Sequence, residues 1–365
     1  MSAFPSSLYI HIPFCSSICA YCDFAKVLYR PEWAEAYLGA LFVELESRVG
    51  RHRFQTIYIG GGTPSALSFK EMETLLAKVG PLLEEGGEFT VEANPESLDE
   101  EKCALLKKYG VNRVSLGVES SQERFLRLMG RPHDFFQAEK AVEAFRKNGI
   151  DNINVDLIYA LPGQTMEDLE KDLKAFLGLK VPHISAYTLI LEEATAFKAQ
   201  GYQEADEETQ AAMYEKVLET LRKAGYDRYE VSNFALPGHR SRHNLTYWKD
   251  ETYVGVGLGA AGYAEGIRYT NTRSLTKYLK GGDPTEEKET VDQPSDLSYF
   301  LLCNLRLEEG FLEETFEKRF GNKFIEIFPN AAELAEQGLL CLDSGRVRCT
   351  DKGMLLLDRV LVELG

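Results

Sequence analysis

Two periodicities alternate along the chain. Apolar runs rich in β-branched and aromatic residues, SLYIHI from Ser7, FQTIYIG from Phe54, EFTVEA from Glu88, NRVSLGV from Asn112, NINVDLIYAL from Asn152 and HISAYTLI from His183, predict strands. Between them, apolar residues recur every three or four positions in PEWAEAYLGALFVELESRV, SFKEMETLLAKVGPLL, LDEEKCALLKKYG and the stretch from Phe135 to Lys147, which predicts helices. Strands joined by helical crossovers pair in parallel with right-handed connections, and about six such units form an α/β fold of complete or partial barrel type. Chemistry in such a fold gathers at the strand C-termini. The cysteine-rich stretch after the first strand, GGGTP after the second and Glu92 after EFTV are therefore expected to converge on one face.

From about residue 290 the pattern becomes helical runs, a short hairpin GLLCLDSGRVRCT turning at Asp343, Ser344 and Gly345, and a last helix from Asp351. This predicts an α+β, winged-helix-like domain over 291–365. The polar stretch 280–296, KGGDPTEEKETVDQPSD, reads as a linker at the end of a connecting region, 233–290, that follows a barrel over 1–232. Winged helices often bind DNA, but residues 291–365 carry 14 acidic and 8 basic side chains. The whole chain has 57 acidic and 41 basic residues, a formal net charge of -16, which repels phosphate backbones. No nucleic acid partner is expected, and a packing or lid role is preferred for this domain. No apolar run approaches the roughly 18 residues of a membrane span, and MSAFPSSLYI lacks the features of a signal peptide, so a cytoplasmic protein without an integral membrane segment is expected.

Seven cysteines in a core-rich chain of that kind argue against a disulfide framework. Cys103, Cys303, Cys341 and Cys349 stand singly among apolar residues and read as small buried hydrophobes. Cys15, Cys19 and Cys22 lie together in HIPFCSSICAYCDF. Structural zinc needs four ligands, usually in two pairs; here a second pair is missing, and only His11 or Asp23 stands nearby as a fourth ligand. A cubane 4Fe-4S cluster held by three thiolates leaves one iron open to a cofactor. In YIGGGTPS the glycines let the backbone approach a ligand closely, although a tight strand-to-helix turn has the same appearance. Gly257, Gly259 and Gly262 also fit G-x-G-x-x-G, yet strand-like YAEGIRYTNT follows where a dinucleotide site needs a helix, and a folding turn is expected.

The spacing C-x3-C-x2-C, with Tyr21 before the last cysteine, resembles the signature of radical S-adenosylmethionine enzymes. YIHIPFC, GGGTPS, EFTVEANPES, VSLGVES, NVDLIYALPGQT and YEVSNFALPG extend the resemblance over nearly the whole chain to the coproporphyrinogen-dehydrogenase-like branch. Within it, dehydrogenases carry a fourth cysteine where Phe24 stands here, and SRHNLTYW resembles the HNxxYW signature of HemW-type haem chaperones. The resemblance implies a partial (β/α)6-type barrel holding one 4Fe-4S cluster on Cys15, Cys19 and Cys22, with S-adenosylmethionine beside it. Carried over onto matching positions, Tyr9, Gly61, Gly62, Thr63, Glu92, Arg131 and Asp156 contact that cofactor, with Ile190 contributing apolar or backbone contact. Glu119 departs from an expected Gln and adds negative charge, and Ala261 interrupts a GAHGY-like segment.

His243 is then expected as an axial haem ligand, oriented by Asn244, with Tyr247 and Trp248 against the porphyrin and His239 as a substitute. The implied function is haem binding and transfer to an acceptor protein, with an electron donor for the cluster. The alternative is oxygen-independent dehydrogenation of coproporphyrinogen III by a 5'-deoxyadenosyl radical, so the chain need not be an enzyme.

Overall fold

A computed structural model of the protein describes residues 4–365. The first strand, β1 (Ser7–Ile12), leads through a short parallel pair, β2 (Phe14–Cys15) and β3 (Val27–Leu28), into α1 (Pro31–Val49). Then β4 (Phe54–Gly61), α2 (Phe69–Val79), β5 (Leu83–Ala93), α3 (Glu100–Lys108) and β6 (Arg113–Glu119) alternate, followed by α4 (Glu123–Met129), α5 (Phe135–Lys147), β7 (Asn152–Tyr159), α6 (Met166–Gly178) and β8 (His183–Thr188). The local signals sit where the elements begin and end. Pro31 opens α1, Gly50 closes it with φ 59°, and reciprocal capping boxes at Ser68/Glu71, Asp134/Gln137 and Thr165/Asp168 start α2, α5 and α6.

The strands β1, β4, β5, β6, β7 and β8 lie side by side in that order, all parallel, as the α/β pattern predicts. Leu8, Ile10 and Ile12 of β1 share one face and are fully buried in the large core formed with α1 and the other crossover helices. The opposite face of the sheet is polar. Asn154 donates to Ser115 at 2.7 Å and accepts from Ser185 at 3.0 Å, so a ladder of hydrogen bonds crosses β6, β7 and β8.

Residues 233–290 differ from expectation. They form β10 (Asn233–Ala235), α9 (Arg242–Trp248), β11 (Tyr253–Val256), β12 (Ala261–Ala264), β13 (Ile267–Asn271), α10 (Leu275–Leu279) and β14 (Thr285–Thr290), after α7 (Ala196–Ala199), α8 (Glu207–Lys223) and β9 (Asp227–Arg228). The sheet has twelve strands in the order β14-β13-β12-β11-β1-β4-β5-β6-β7-β8-β10-β9, with β11 parallel to β1. The supposed connecting region thus extends the barrel sheet. The polar stretch read as a linker contains β14, paired antiparallel with β13; its exposed, charged side chains belong to a sheet edge, which hides its strand character in the sequence. Gly257 and Gly259, with φ 103° and 67°, turn the chain between β11 and β12, as expected for a folding turn.

Residues 293–364 supply α11 (Gln293–Asn304), β15 (Phe311–Leu312), α12 (Glu313–Phe320), α13 (Phe324–Ile327), α14 (Ala331–Glu336), β16 (Leu340–Asp343), β17 (Arg346–Cys349), α15 (Asp351–Leu355) and α16 (Leu357–Leu364). A three-stranded sheet, β15-β17-β16, and helices close over a separate core with Phe300, Phe311, Phe316, Phe320 and Phe324 at its centre. The domain is fastened to the barrel by charge: Arg319 bridges Asp296 and the buried Asp250 at the end of α9, and Asp351 pairs with Arg222 and Arg228 at 2.8 Å. Of the four lone cysteines, Cys103 and Cys349 are buried, whereas Cys303 and Cys341 are half-exposed, so the bland reading holds for the first two only. No helix among the described residues is long and apolar enough to cross a membrane.

Gly255 pairs with Tyr9 across β11 and β1, and a Cβ there meets the Ala261 carbonyl oxygen at 1.8 Å. Gly255→Ala forces two backbones apart and is expected to destabilise the protein by about 1–3 kcal/mol or more, read as a lower urea midpoint.

Candidate functional site

The C-terminal ends of the parallel strands open into one cavity of about 870 Å³. Every cofactor residue expected from the sequence except His243 lines it: Tyr9, Cys15, Cys19, Cys22, Gly61, Gly62, Thr63, Glu92, Glu119, Arg131, Asp156 and Ile190. Convergence follows from the topology, because β1, β4, β5, β6 and β7 point the same way: Gly61, Glu92 and Glu119 stand at or next to the ends of β4, β5 and β6, while Tyr9 and Asp156 project from within β1 and β7.

Cys15 belongs to β2, while Cys19 and Cys22 sit in the loop before β3. That loop is pinned at several points. Val27 N donates to Pro13 O at 2.8 Å, Ala20 N to Met129 O at 2.9 Å, and Lys26 Nζ to Cys22 O at 2.5 Å. Two donors address the sulfurs: Thr63 Oγ1 stands 3.7 Å from Cys15 Sγ, and Arg131 Nη1 stands 3.4 Å from Cys19 Sγ. Burial pushes the Cys15 thiol up to about 11 and raises Cys22 as well, so without a metal these sulfurs keep their protons. The glycine loop is fitted to them. A Cβ on Gly62 comes within 2.9 Å of Cys15 Sγ, and one on Gly61, where φ is 119°, within 2.5 Å of the His11 ring.

His11 is thereby removed as a fourth metal ligand. Its Nε2 lies 2.7 Å from Ala25 O, its Nδ1 3.0 Å from Tyr9 Oη, and burial lowers it to about 4, leaving a neutral ring that braces the loop. Among the described residues no three His, Cys, Asp or Glu side chains gather into a site for a single ion. Three thiols bordering one cavity without closing on a point match the needs of a cluster, in which each thiolate takes a different iron.

The floor of the cavity is acidic. Glu92 accepts from Tyr58 Oη at 2.7 Å and from Gly61 N at 2.9 Å, yet burial pushes its carboxyl up to about 7. Burial raises Glu119 in the same way, against the pull of Arg131, and raises Asp156, which accepts from Asn154 at 2.8 Å and Ser115 at 3.3 Å. Glu119 adopts φ 67° at a break in the β6–β7 register, and its Oε1 receives Tyr21 Oη at 3.0 Å and faces Arg131 Nη2 at 3.8 Å. A left-handed glutamate beside a cofactor site is backbone strain held in place by its surroundings. Arg131 is the buried counter-cation. Its Nη2 donates to Gly117 O at 2.5 Å and Asn94 Oδ1 at 2.9 Å, while its Nε is buried without a partner. Three carboxyls raised above their usual range by burial, with one guanidinium beside them, make a cradle for a cation, and a donor left over is a place for a ligand acceptor.

Tyr58, Asn94 and Tyr187 are site residues that sequence reasoning missed. Asn94 ties Arg131 to Thr63, donating to its hydroxyl at 3.1 Å, and Tyr58 aims Glu92. Alternation along β4 and the first position after β5 are the signals that place Tyr58 and Asn94.

His243 needs correction. It lies in the first turn of α9, fully buried, and stacks on Tyr58 with ring centroids 5.1 Å apart. Its Nδ1 is 2.7 Å from Thr56 Oγ1 and its Nε2 2.7 Å from Tyr247 Oη, so neither nitrogen is available to an iron in this arrangement. Burial lowers it to about 3, which keeps it neutral. The helix start is fixed from below by Glu88, whose carboxylate accepts from Arg242 N at 3.1 Å and His243 N at 3.0 Å. Tyr247 lines the cavity, whereas Trp248 lies half-buried under Arg306 outside its wall, and Asn244 and His239 are half-buried. The motif therefore braces the wall of the cavity: His243 supports Tyr58, which in turn holds Glu92.

The family model described as the radical SAM superfamily matches residues 9–176, and that of the HemN C-terminal domain matches 291–356. A protein of Lactococcus lactis subsp. lactis named "Heme chaperone HemW" is 45% identical, covering 98% of this chain and 96% of its own. Proteins of the same name from Bacillus subtilis and Escherichia coli are 36% and 35% identical, covering 97% and 98% of this chain and 97% of each of their own. Among solved structures, the coproporphyrinogen III oxidase HemN of Escherichia coli superposes with a TM-score of 0.84 at 24% identity, covering 99% of this chain and 90% of that one. That likeness establishes the fold.

Removing the His243 ring leaves Thr56 and Tyr247 without their buried partner and empties a packed position. His243→Ala is expected to cost about 2–4 kcal/mol, seen as a lowered urea midpoint.

Proposed function

The chain belongs to the HemW family of haem chaperones, and we propose that it binds haem and passes it to an acceptor protein while carrying a 4Fe-4S cluster with exchangeable S-adenosylmethionine. The near full-length match at 45% identity to a protein named as a haem chaperone carries this reading. Phe24, in place of the dehydrogenases' fourth cysteine, favours it over porphyrinogen dehydrogenation. An electron donor and a cytoplasmic location belong to the same reading.

The residues present fit both groups. Cys15, Cys19 and Cys22 would hold three irons, with Thr63 and Arg131 donating to Cys15 and Cys19 and thereby stabilising the thiolate forms. The cluster supplies an open iron and an electron, and S-adenosylmethionine supplies a sulfonium and an ammonium group. Glu92, Glu119 and Asp156 offer negative charge to that cation, Glu92 would accept from the ribose hydroxyls, and Gly61, Gly62 and Thr63 present backbone to its amino end, with Tyr9 beside them. Arg131 offers its unpartnered Nε to an acceptor on the ligand. His243 takes the bracing role described above and is no iron ligand in this reading.

Anaerobic reconstitution tests the proposal. The wild-type protein is expected to show broad iron-sulfur absorption, to take up haem and to leave coproporphyrinogen III unchanged. Ala at any one of Cys15, Cys19 or Cys22 should abolish the cluster absorption, and the triple variant should still take up haem while its circular dichroism stays native. Stoichiometric zinc in place of iron, or turnover of the porphyrinogen, contradicts the reading.

Glu92 generates a pH signature. Its folded value of about 7 lies above the ordinary 4.5, so this group's contribution to apo-protein stability falls as pH rises from about 4.5 through 7. A cationic ligand favours the ionised form. Affinity for S-adenosylmethionine should therefore rise between about pH 6 and 8, with a proton released on binding near pH 6.5, measured by calorimetry in two buffers. Glu92→Gln should reduce that dependence, with Glu119 left to titrate in the same cavity, and weaken binding about tenfold or more, because charge-assisted hydrogen bonds contribute roughly 1.5–3 kcal/mol.

A further inference from the structure

We propose that haem docks across the mouth of the cavity, its ring on Phe24 and Ile190 and a propionate on Lys26, so that it caps the S-adenosylmethionine site. This inference rests on the haem-binding function proposed above, and it names the surface.

The argument starts from what lines the cavity at its open end. Phe24 and Ile190 both border it, yet they are 67% and 65% exposed, and Tyr187 beside them is 41% exposed. Exposed apolar side chains are ordinary elsewhere on the surface, as at Val43 and Val362, but gathered at the edge of a concave site they offer contact to an apolar ligand. Phe24 and Ile190 come from two segments far apart in the sequence, the cysteine loop and the stretch following β8, and both border the one cavity. The volume, about 870 Å³, lies near the top of the roughly 300–1,000 Å³ range for a small-molecule site, which leaves room above a ligand seated on the acidic floor.

Charge selects the occupant. The floor carries Glu92, Glu119 and Asp156 and suits a cation, whereas the rim beside Phe24 carries Lys26. The Lys26 ammonium donates to two backbone carbonyls, Cys22 O at 2.5 Å and Phe24 O at 3.4 Å, and forms no ion pair among the described residues. A single uncompensated cation next to exposed apolar side chains matches a planar apolar molecule with carboxylates at one edge. Arg273 adds a second positive group, partly neutralised by Asp23 at 3.7 Å, and Glu192 is the other acid at the rim. Haem has that shape and charge. His243, walled off behind Tyr58, contributes nothing to this surface, so the macrocycle should bind with or without iron.

Titration of the cluster-reconstituted protein with haem and with iron-free protoporphyrin IX, followed by absorbance and fluorescence, tests the site. Phe24→Asp and Ile190→Asp are each expected to weaken both ligands by tenfold or more, while Phe24→Leu stays within about threefold of wild type. Ile190 lies outside the cysteine loop, so Ile190→Asp decides the matter if Phe24→Asp disturbs the cluster. Bound protoporphyrin should also slow the release of S-adenosylmethionine. Wild-type binding that is unchanged in Ile190→Asp overturns the docking surface and leaves the chaperone reading standing; a wild-type protein that takes up neither haem nor protoporphyrin overturns both.

Discussion

The buried guanidinium of Arg131 is the constraint on which the site depends. It approaches three separate pieces of the chain: the Cys19 sulfur in the loop between β2 and β3, the Gly117 carbonyl in β6 and the Asn94 amide after β5. Its charge also faces Glu119 in a cavity where three carboxyls are desolvated together. Without a cation there, the acidic floor has nothing to hold it until a ligand arrives, because buried like charges disfavour one another steeply. Arg131 couples the sulfurs to the carboxylates, so the cluster half and the cofactor half of the cavity share one electrostatic balance.

That balance explains the departure at Glu119. A glutamate in place of glutamine adds a negative charge to a floor already rich in it, yet its Oε1 is met by Tyr21 and Arg131, and the left-handed backbone at this position directs it there. Tyr21 is the aromatic residue between Cys19 and Cys22. The cysteine loop and β6 are thus joined by a hydrogen bond that a glutamine could accept as well but without the pull on Arg131.

The alternating pattern made the parallel strands legible because β1 and β7 carry apolar residues at every second position, Leu8, Ile10, Ile12 and Ile153, Val155, Leu157, and β1 and α1 begin and end where their sequences predict. What escaped was how the later strands join this sheet: YAEGIRYTNT reads as strand-like, but the parallel pairing of β11 with β1, some two hundred and forty residues earlier in the chain, has no local signature, and β14 is hidden by the charged side chains of a sheet edge. The site was legible where residue types are demanding, as for three thiols or a glycine loop beneath His11. It was misread at His243, because a histidine among aromatic residues looks the same whether it faces solvent or a wall, and only the fold shows both nitrogens taken.

The placement of His243 bears on how such proteins can be sorted from genomes. Its ring stacks on Tyr58, Tyr58 orients Glu92, and Glu88 anchors the first turn of the same helix, so the histidine of the hexapeptide helps to keep the Glu92 carboxylate in position without itself entering the cavity. In reading such a sequence, these letters report on a braced cavity wall, and the residues around the opening, Phe24, Lys26 and Ile190 here, are read separately for what the cavity can receive.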